Sequence, residues 1–297
     1  MTTAAVDRVA GAPISWGVCE VPGWGYQMTP SRVLTEMRDI GLSATELGSI
    51  GFLPDSPEGK AQTLAEYGLH GLGNFTPVLL HDPNHDPSDE INTVVDGFEA
   101  VGADVLVLSA ITGLRGYDTR PELDATGWST LLGNLDKLST LAASRGIRAV
   151  LHPHVGTMVE TGDDVQRVLE GSQMSLCLDT GHMLIGGSDP VAVTRQVPER
   201  IAHTHLKDVD RALAKKVQDG SLTYTDACRK GMYQPLGQGD VDIAGVVTVL
   251  EKNGYTGWYV LEQDAVLDEE PTGVGPAADV QASADYIRSV MRFLETA

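Results

Sequence analysis

Three apolar stretches each run into residues that can bind a cation or move a proton. Residues 175–182 read SLCLDTGH: apolar up to Leu178, then Asp179, then Thr180, Gly181 and His182 in a loop. Residues 200–208 read RIAHTHLKD and deliver His205, Lys207 and Asp208; residues 257–264 read GWYVLEQD and deliver Glu262. A short apolar run between turn signals is the pattern of a buried strand. Three strands ending in Asp, His and Glu predict one polar site at one rim of a parallel barrel, most simply a divalent metal site. Mixed carboxylate and imidazole donors suit Mn²⁺, Co²⁺ or Mg²⁺, and Zn²⁺ accepts them as well. No cysteine stands at a strand end, so thiolate is not among the expected donors.

Further candidates stand at the other expected strand ends: Ser15 and Trp16, Glu46, Asn74, Ser109, then His152, His154 and, past Gly156, Glu160. His203 is taken to face the opposite side of its strand from His205 and is left out. Taken singly, a strand-end histidine is more often a hydrogen-bonded structural group than a ligand, and Asp-Thr-Gly can be only a turn. Their joint occurrence on consecutive strands is what points to a site.

The elements that must position these groups alternate. Strands are expected at 12–17, 43–47, 69–75, 104–109, 147–151, 175–178, 201–205 and 258–261. Helices are expected at 30–40, 57–67, 88–101, 126–145, 162–170, 188–196, 242–253 and 278–294. Alternation implies a parallel sheet with right-handed crossovers, and eight repeats imply a single closed (β/α)8 barrel over residues 1–297. Functional residues of such barrels lie at the C-terminal strand ends. No GxGxxG follows the first strand, which weakens an open dinucleotide-binding sheet. Residues 1–10 are read as loose. Residues 209–240 break the rhythm and are expected to form a long loop over the site, with one short helix near 224–230.

With 297 residues, 42% of them hydrophobic, the chain can bury a large core. Its 41 acidic and 21 basic residues give a net charge of -20, which argues against nucleic acid or an anionic membrane as partner. Cys19, Cys177 and Cys228 form no CxxC and imply neither a disulfide framework nor a zinc knuckle, which fits a reducing cytoplasm. Neither a signal peptide nor a membrane span is visible. A homo-oligomer is compatible with all of this.

The motifs LDTGH, HTHLKD and GWYVLEQD, with HPHVGTMVET before them and PISWG and TELGS near the start, resemble the xylose-isomerase-like sugar isomerase and epimerase superfamily over about 13–294. Within it, the HPHVGT segment and the long insertion are most similar to the inosose dehydratase branch. The resemblance implies a divalent ion held by residues of strands five to eight. Asp179, His205 and Glu262 match three of those positions. The fourth, usually Glu, is His152 here, so either His152 is the ligand or Glu160 curls back; Glu160 would keep the site rich in carboxylates. The implied substrate is a small keto-cyclitol or sugar, and the implied reaction is loss of water from 2-keto-myo-inositol, with isomerisation or epimerisation as the alternative. His152 and His154 are then the leading acid–base groups, with Glu262 a second base. Trp16, Glu46, His182 and Lys207 would contact substrate.

Overall fold

The computed structural model describes residues 5–296. Its strands are β1 (Val9–Gly11), β2 (Ala44–Thr45), β3 (His70–Gly71), β4 (Gly73–Val78), β5 (Val105–Ala110), β6 (Arg148–Leu151), β7 (Ser175–Asp179), β8 (Ile201–Leu206), β9 (Asp208–Val209), β10 (Tyr233–Gln234) and β11 (Tyr259–Leu261). Nine of them form one sheet in the order β3-β2-β1-β11-β8-β7-β6-β5-β4, and each neighbouring pair is parallel. The two ends of that order are halves of one strand, interrupted at Leu72. The Leu72 N–H donates to the Thr45 carbonyl at 2.9 Å, and its own carbonyl accepts from the Val105 N–H at 3.1 Å. The ring therefore closes as an eight-membered barrel wrapped by helices, as the alternation predicts.

Strands covered on both faces read as continuous apolar runs, and every residue of β5, VLVLSA, is buried. Side-chain caps fix several helix starts. Asp124 accepts from the Gly127 N–H to open Ala125–Ser144, and Thr161 with Asp164 forms a capping box on Gly162–Gly171.

Four expectations need correction. The first strand is Val9–Gly11, inside the segment read as loose; residues 1–4 of that segment lie outside the described residues. PISW is a 3₁₀ turn, because Pro13 has no N–H for a ladder, and Gly17 ends the turn at a φ of 79°. DTGH is not a loop: Asp179 accepts from the His182 N–H at 2.8 Å and starts a helix, Thr180–Ile185. The insertion is more ordered than a long loop, with helices Arg211–Gln218 and Tyr224–Arg229 and an antiparallel β9–β10 ribbon. Among the described residues, no helix is long and apolar enough to cross a membrane.

Candidate metal centre and active site

The C-terminal ends of β7, β8 and β11 bring Asp179, His205 and Glu262 together, with one donor atom of each within 4.8 Å of the others. His205 Nδ1 lies 3.2 Å from Glu262 Oε2 and 3.8 Å from Asp179 Oδ2. The other ring nitrogen, Nε2, sits 2.8 Å from Glu46 Oε1. A carboxylate accepts, so Nε2 carries a proton; burial opposes charge on the ring, but Cys177, Glu262 and Glu46 hold the pKa of His205 well above the ordinary imidazole value. Buried Nδ1 has no hydrogen-bond partner among the described residues. Nδ1 faces two carboxylates, and a cation bound between them would take the place of a proton there. Two carboxylates and an imidazole fit a divalent ion.

His152 stands beside this group, its Nε2 3.2 Å from Asp179 Oδ2 and its ring 4.8 Å from that of His205. Glu160 is not brought to it. The Glu160 carboxylate accepts from the Gly156 N–H at 2.8 Å and lies 3.8 Å from Arg120, which also pairs with Asp164 at 2.7 Å. That ion-pair network holds Glu160 in its own loop. Of the two expected fourth ligands, only His152 is within reach.

Lys207 is buried at the centre. Its ammonium contacts Glu262 at 3.1 Å, Asp179 at 3.5 Å, Asp264 at 2.5 Å and His182 Nε2 at 3.2 Å. An ammonium only donates, so His182 Nε2 accepts. Burial opposes the charge on Lys207, but Asp179, Asp264 and Glu262 hold its pKa well above the ordinary lysine value. Burial also opposes ionisation of Glu46, yet His205 and His203 bring its pKa down to about 2. Four buried carboxylates, Glu46, Asp179, Glu262 and Asp264, thus face one ammonium and the imidazoles. Such an excess of buried negative charge favours a bound cation.

Burial is the main cause that lowers the pKa of His152, His154 and His182, that of His154 to about 3. All three are neutral near pH 7. His154 Nδ1 lies 2.7 Å from its neighbour's carbonyl, that of Val155, and must donate to it, which leaves Nε2 as an unprotonated lone pair.

These groups floor a cavity of about 730 Å³, lined among others by Glu46, His152, His154, Lys207, Glu262 and Asp264. Trp16 does not reach it. That ring is fully buried in the core, and its Nε1–H donates to Glu36 at 2.7 Å. Trp24, from the following loop, and Phe75, from β4, stand with Phe98 and Tyr117 as the aromatic rings on the cavity wall. Asp179, His182 and His205 lie beneath the lining.

Sequence reasoning missed three members of the cluster. His203 faces the same side as His205 and contacts Glu46 Oε1 at 2.9 Å, because residues two apart on a strand share a face. Cys177, two before Asp179, comes within 4.8 Å of His152 and His205 donor atoms, so a thiol does lie under the site. Asp264, two beyond Glu262, reaches the cavity. The insertion fixes Asp264: Tyr224 Oη donates to its Oδ2 at 2.5 Å, and Tyr233 Oη lies 2.8 Å from Tyr224 Oη.

The barrel and its rim of Asp, His and Glu side chains define a class, and sequence comparison agrees. The pattern of the xylose isomerase-like TIM barrel matches residues 34–290, and the chain belongs to that family. Inosose dehydratase of Geobacillus kaustophilus (strain HTA426) is 30% identical over 301 residues, covering 97% of this chain and 96% of the relative. Rhizopine catabolism protein MocC of Rhizobium meliloti is 31% identical over 267 residues, covering 86% of this chain and 81% of the relative. Two solved structures share the fold at 15% identity. IolI protein with a bound zinc atom has a TM-score of 0.71, covering 96% of this chain and 98% of its own. L-ribulose 3-epimerase has a TM-score of 0.72, covering 99% and 96%.

Proposed function

We propose that this chain is a divalent-metal-dependent dehydratase acting on 2-keto-myo-inositol, an inosose, in inositol catabolism. The observation that carries the reading is the convergence of Asp179, His205 and Glu262 from three strands under a polar cavity floor. The full-length similarity to an inosose dehydratase supports the substrate. Asp179, His205, Glu262 and His152 would hold the ion, which IolI protein's zinc illustrates for this fold. When bound, such an ion supplies Lewis-acid polarisation of the substrate carbonyl.

The chain's own groups do the rest. Lys207 and Glu46 hydrogen-bond the ring hydroxyls from the cavity floor, and His182 steadies Lys207 from below. His154 Nε2, the unprotonated nitrogen of a tautomer fixed by the Val155 carbonyl, takes the proton α to the ketone. The same imidazolium hands that proton to the departing β-hydroxyl. One C–H and one C–O bond break, a C=C bond forms, and water leaves; the resulting enol becomes the dione. Glu262 is the second proton acceptor at the site.

The test is incubation of the metal-loaded protein with inosose, read by product mass and ultraviolet absorbance. A product lighter by one water, with new absorbance, is expected. A product of unchanged mass would mean epimerisation or isomerisation on the same site. Full activity after exhaustive chelation would remove the metal from the reading.

A further inference from the structure

Lys207 competes for the groups assigned above to the cation. Its ammonium lies 3.1 Å from Glu262 and 3.5 Å from Asp179, the two carboxylates expected to hold the ion. A fixed positive charge that shares two ligands with a divalent ion weakens the hold on that ion by repulsion. It also takes up the oxygens the ion needs. Two other contacts draw the ammonium away. Asp264 Oδ1 accepts from it at 2.5 Å, its shortest ion pair among the described residues, and His182 Nε2 accepts at 3.2 Å. An ammonium has three N–H groups, so these two partners, neither in the expected ligand set, leave one.

Asp264 is itself held by the insertion over residues 209–240. Its second oxygen, Oδ2, accepts from Tyr224 Oη at 2.5 Å. That donation uses the Tyr224 proton, so Tyr233 Oη donates to Tyr224 Oη at 2.8 Å. Both tyrosines are buried. The Tyr233 ring also stands 5.2 Å from the Lys207 ammonium, within cation–π range. Tyr224 is anchored in turn. Its N–H donates to Asp118 Oδ1 at 2.8 Å, and its ring packs against those of Tyr117 and His182, with centroids at 5.5 and 5.9 Å. Arg229, at the end of the same helix, donates to the Trp24 carbonyl at 3.3 Å. A carboxylate held on both oxygens is a fixed counter-charge, whereas one held on a single oxygen is free to swing.

From this we infer that Asp264, clamped by Tyr224 and Tyr233, is the dedicated counter-ion of Lys207 and holds its ammonium off Asp179 and Glu262, which stay free for a cation. Asp264 is then a positioning residue. The insertion belongs to the metal centre although it supplies no ligand. The inference rests on the metal reading given above.

The experiment is a competition for Co²⁺ or Zn²⁺ between the chelator-stripped full chain and a chromogenic chelator, with folding followed by circular dichroism. Asp264→Asn should lower the affinity about tenfold. Tyr224→Phe frees Oδ2 but leaves the charge of Asp264 in place, and should lower the affinity about threefold. A carboxylate acting by its charge alone would leave that variant at the parent's affinity. Lys207→Met should raise the affinity by a larger factor in the Asp264→Asn background than in the parent, because there the released ammonium is the competitor. Parental affinity in Tyr224→Phe, or equal effects of Lys207→Met in the two backgrounds, overturns the inference and leaves the metal centre standing. If Asp264→Asn does not fold, the shape-conserving Tyr224→Phe decides. A parent that binds neither ion sinks the metal reading and this inference with it.

Discussion

Glu46 offers the sharpest test of the proposed metal centre. It coordinates nothing in the expected ligand set, yet its Oε1 accepts from His205 Nε2 at 2.8 Å and from His203 Nε2 at 2.9 Å. The first contact keeps a proton on Nε2 of His205, so Nδ1 is the nitrogen left for a cation, and it fixes the ring plane. The negative charge of Glu46 also makes that imidazole a better donor to a cation. Partners of this kind are worth about 10–100-fold in metal affinity, which is about 1.4–2.7 kcal/mol. Glu46→Gln keeps the shape and one acceptor oxygen but removes the charge. A flipped amide would go further, favouring the tautomer that points a proton at the ion. We expect metal affinity to fall 10–100-fold in Glu46→Gln, with folding intact by circular dichroism. His203→Ala, which leaves the Glu46–His205 contact standing, should change affinity far less. The assay is competition between the chelator-stripped protein and a chromogenic chelator for Co²⁺ or Zn²⁺. A folded Glu46→Gln protein that binds either ion as tightly as the parent would refute the reasoning.

Other outcomes follow from the same contacts. His152→Ala should lose most metal affinity in the chelator competition, whereas Glu160→Gln should keep it, since Glu160 is engaged with Gly156 and Arg120; the reverse result would restore Glu160 as the ligand. Asp208 is fully buried and accepts from the backbone N–H groups of Val209, Gly237, Gly239 and Val241 at 2.8–3.0 Å. Asp208→Asn turns one acceptor into a donor against those groups, which should cost about 3 kcal/mol and open residues 209–240 to protease; unchanged unfolding and cleavage would count against that anchor. Asp164 is half-buried, and although burial opposes its charge, Thr161 and Arg120 lower its pKa below the ordinary value. A depressed carboxylate stabilises the fold above its unfolded pKa and loses that contribution as pH falls through the folded one. Asp164→Asn should therefore be about 1–2 kcal/mol less stable than the parent at pH 7, with the gap closing below about pH 4; a gap that is constant with pH in urea unfolding would contradict this.

Much of the frame was legible because it rests on patterning alone. Seven of the eight expected strands overlap observed ones, and the alternation predicted the closed ring. The exception, at 12–17, failed because PISW is apolar enough to look like a strand while its proline forbids one. In the insertion, Arg211–Gln218 was missed although Asp210 caps it by accepting from the Ala212 and Leu213 N–H groups. Its polar composition hid a helix that the cap residue announced. The placement of Glu160 was not legible, because it depends on Arg120, a residue forty positions away whose partner no spacing rule identifies. Trp16 was assigned to the site from a strand it does not belong to.

Within the site itself, the three omissions share one cause, and it points to how the centre is organised. His203, Cys177 and Asp264 each lie two positions from an expected ligand, and so do Lys207 and His154, which were included. Residues two apart along a strand project from the same face. Each functional strand therefore contributes a column: Cys177 and Asp179 on β7, His203, His205 and Lys207 on and past β8, Glu262 and Asp264 past β11. The columns meet where Glu46 holds His203 and His205, where Asp179, His205 and Glu262 converge, and where Lys207 pairs with Asp264. The proton that Glu46 holds on His205 Nε2 leaves Nδ1 as the nitrogen that a cation could take. The chain's negative charge does not oppose this arrangement. It attracts the cation, while an uncharged cyclitol is indifferent to it.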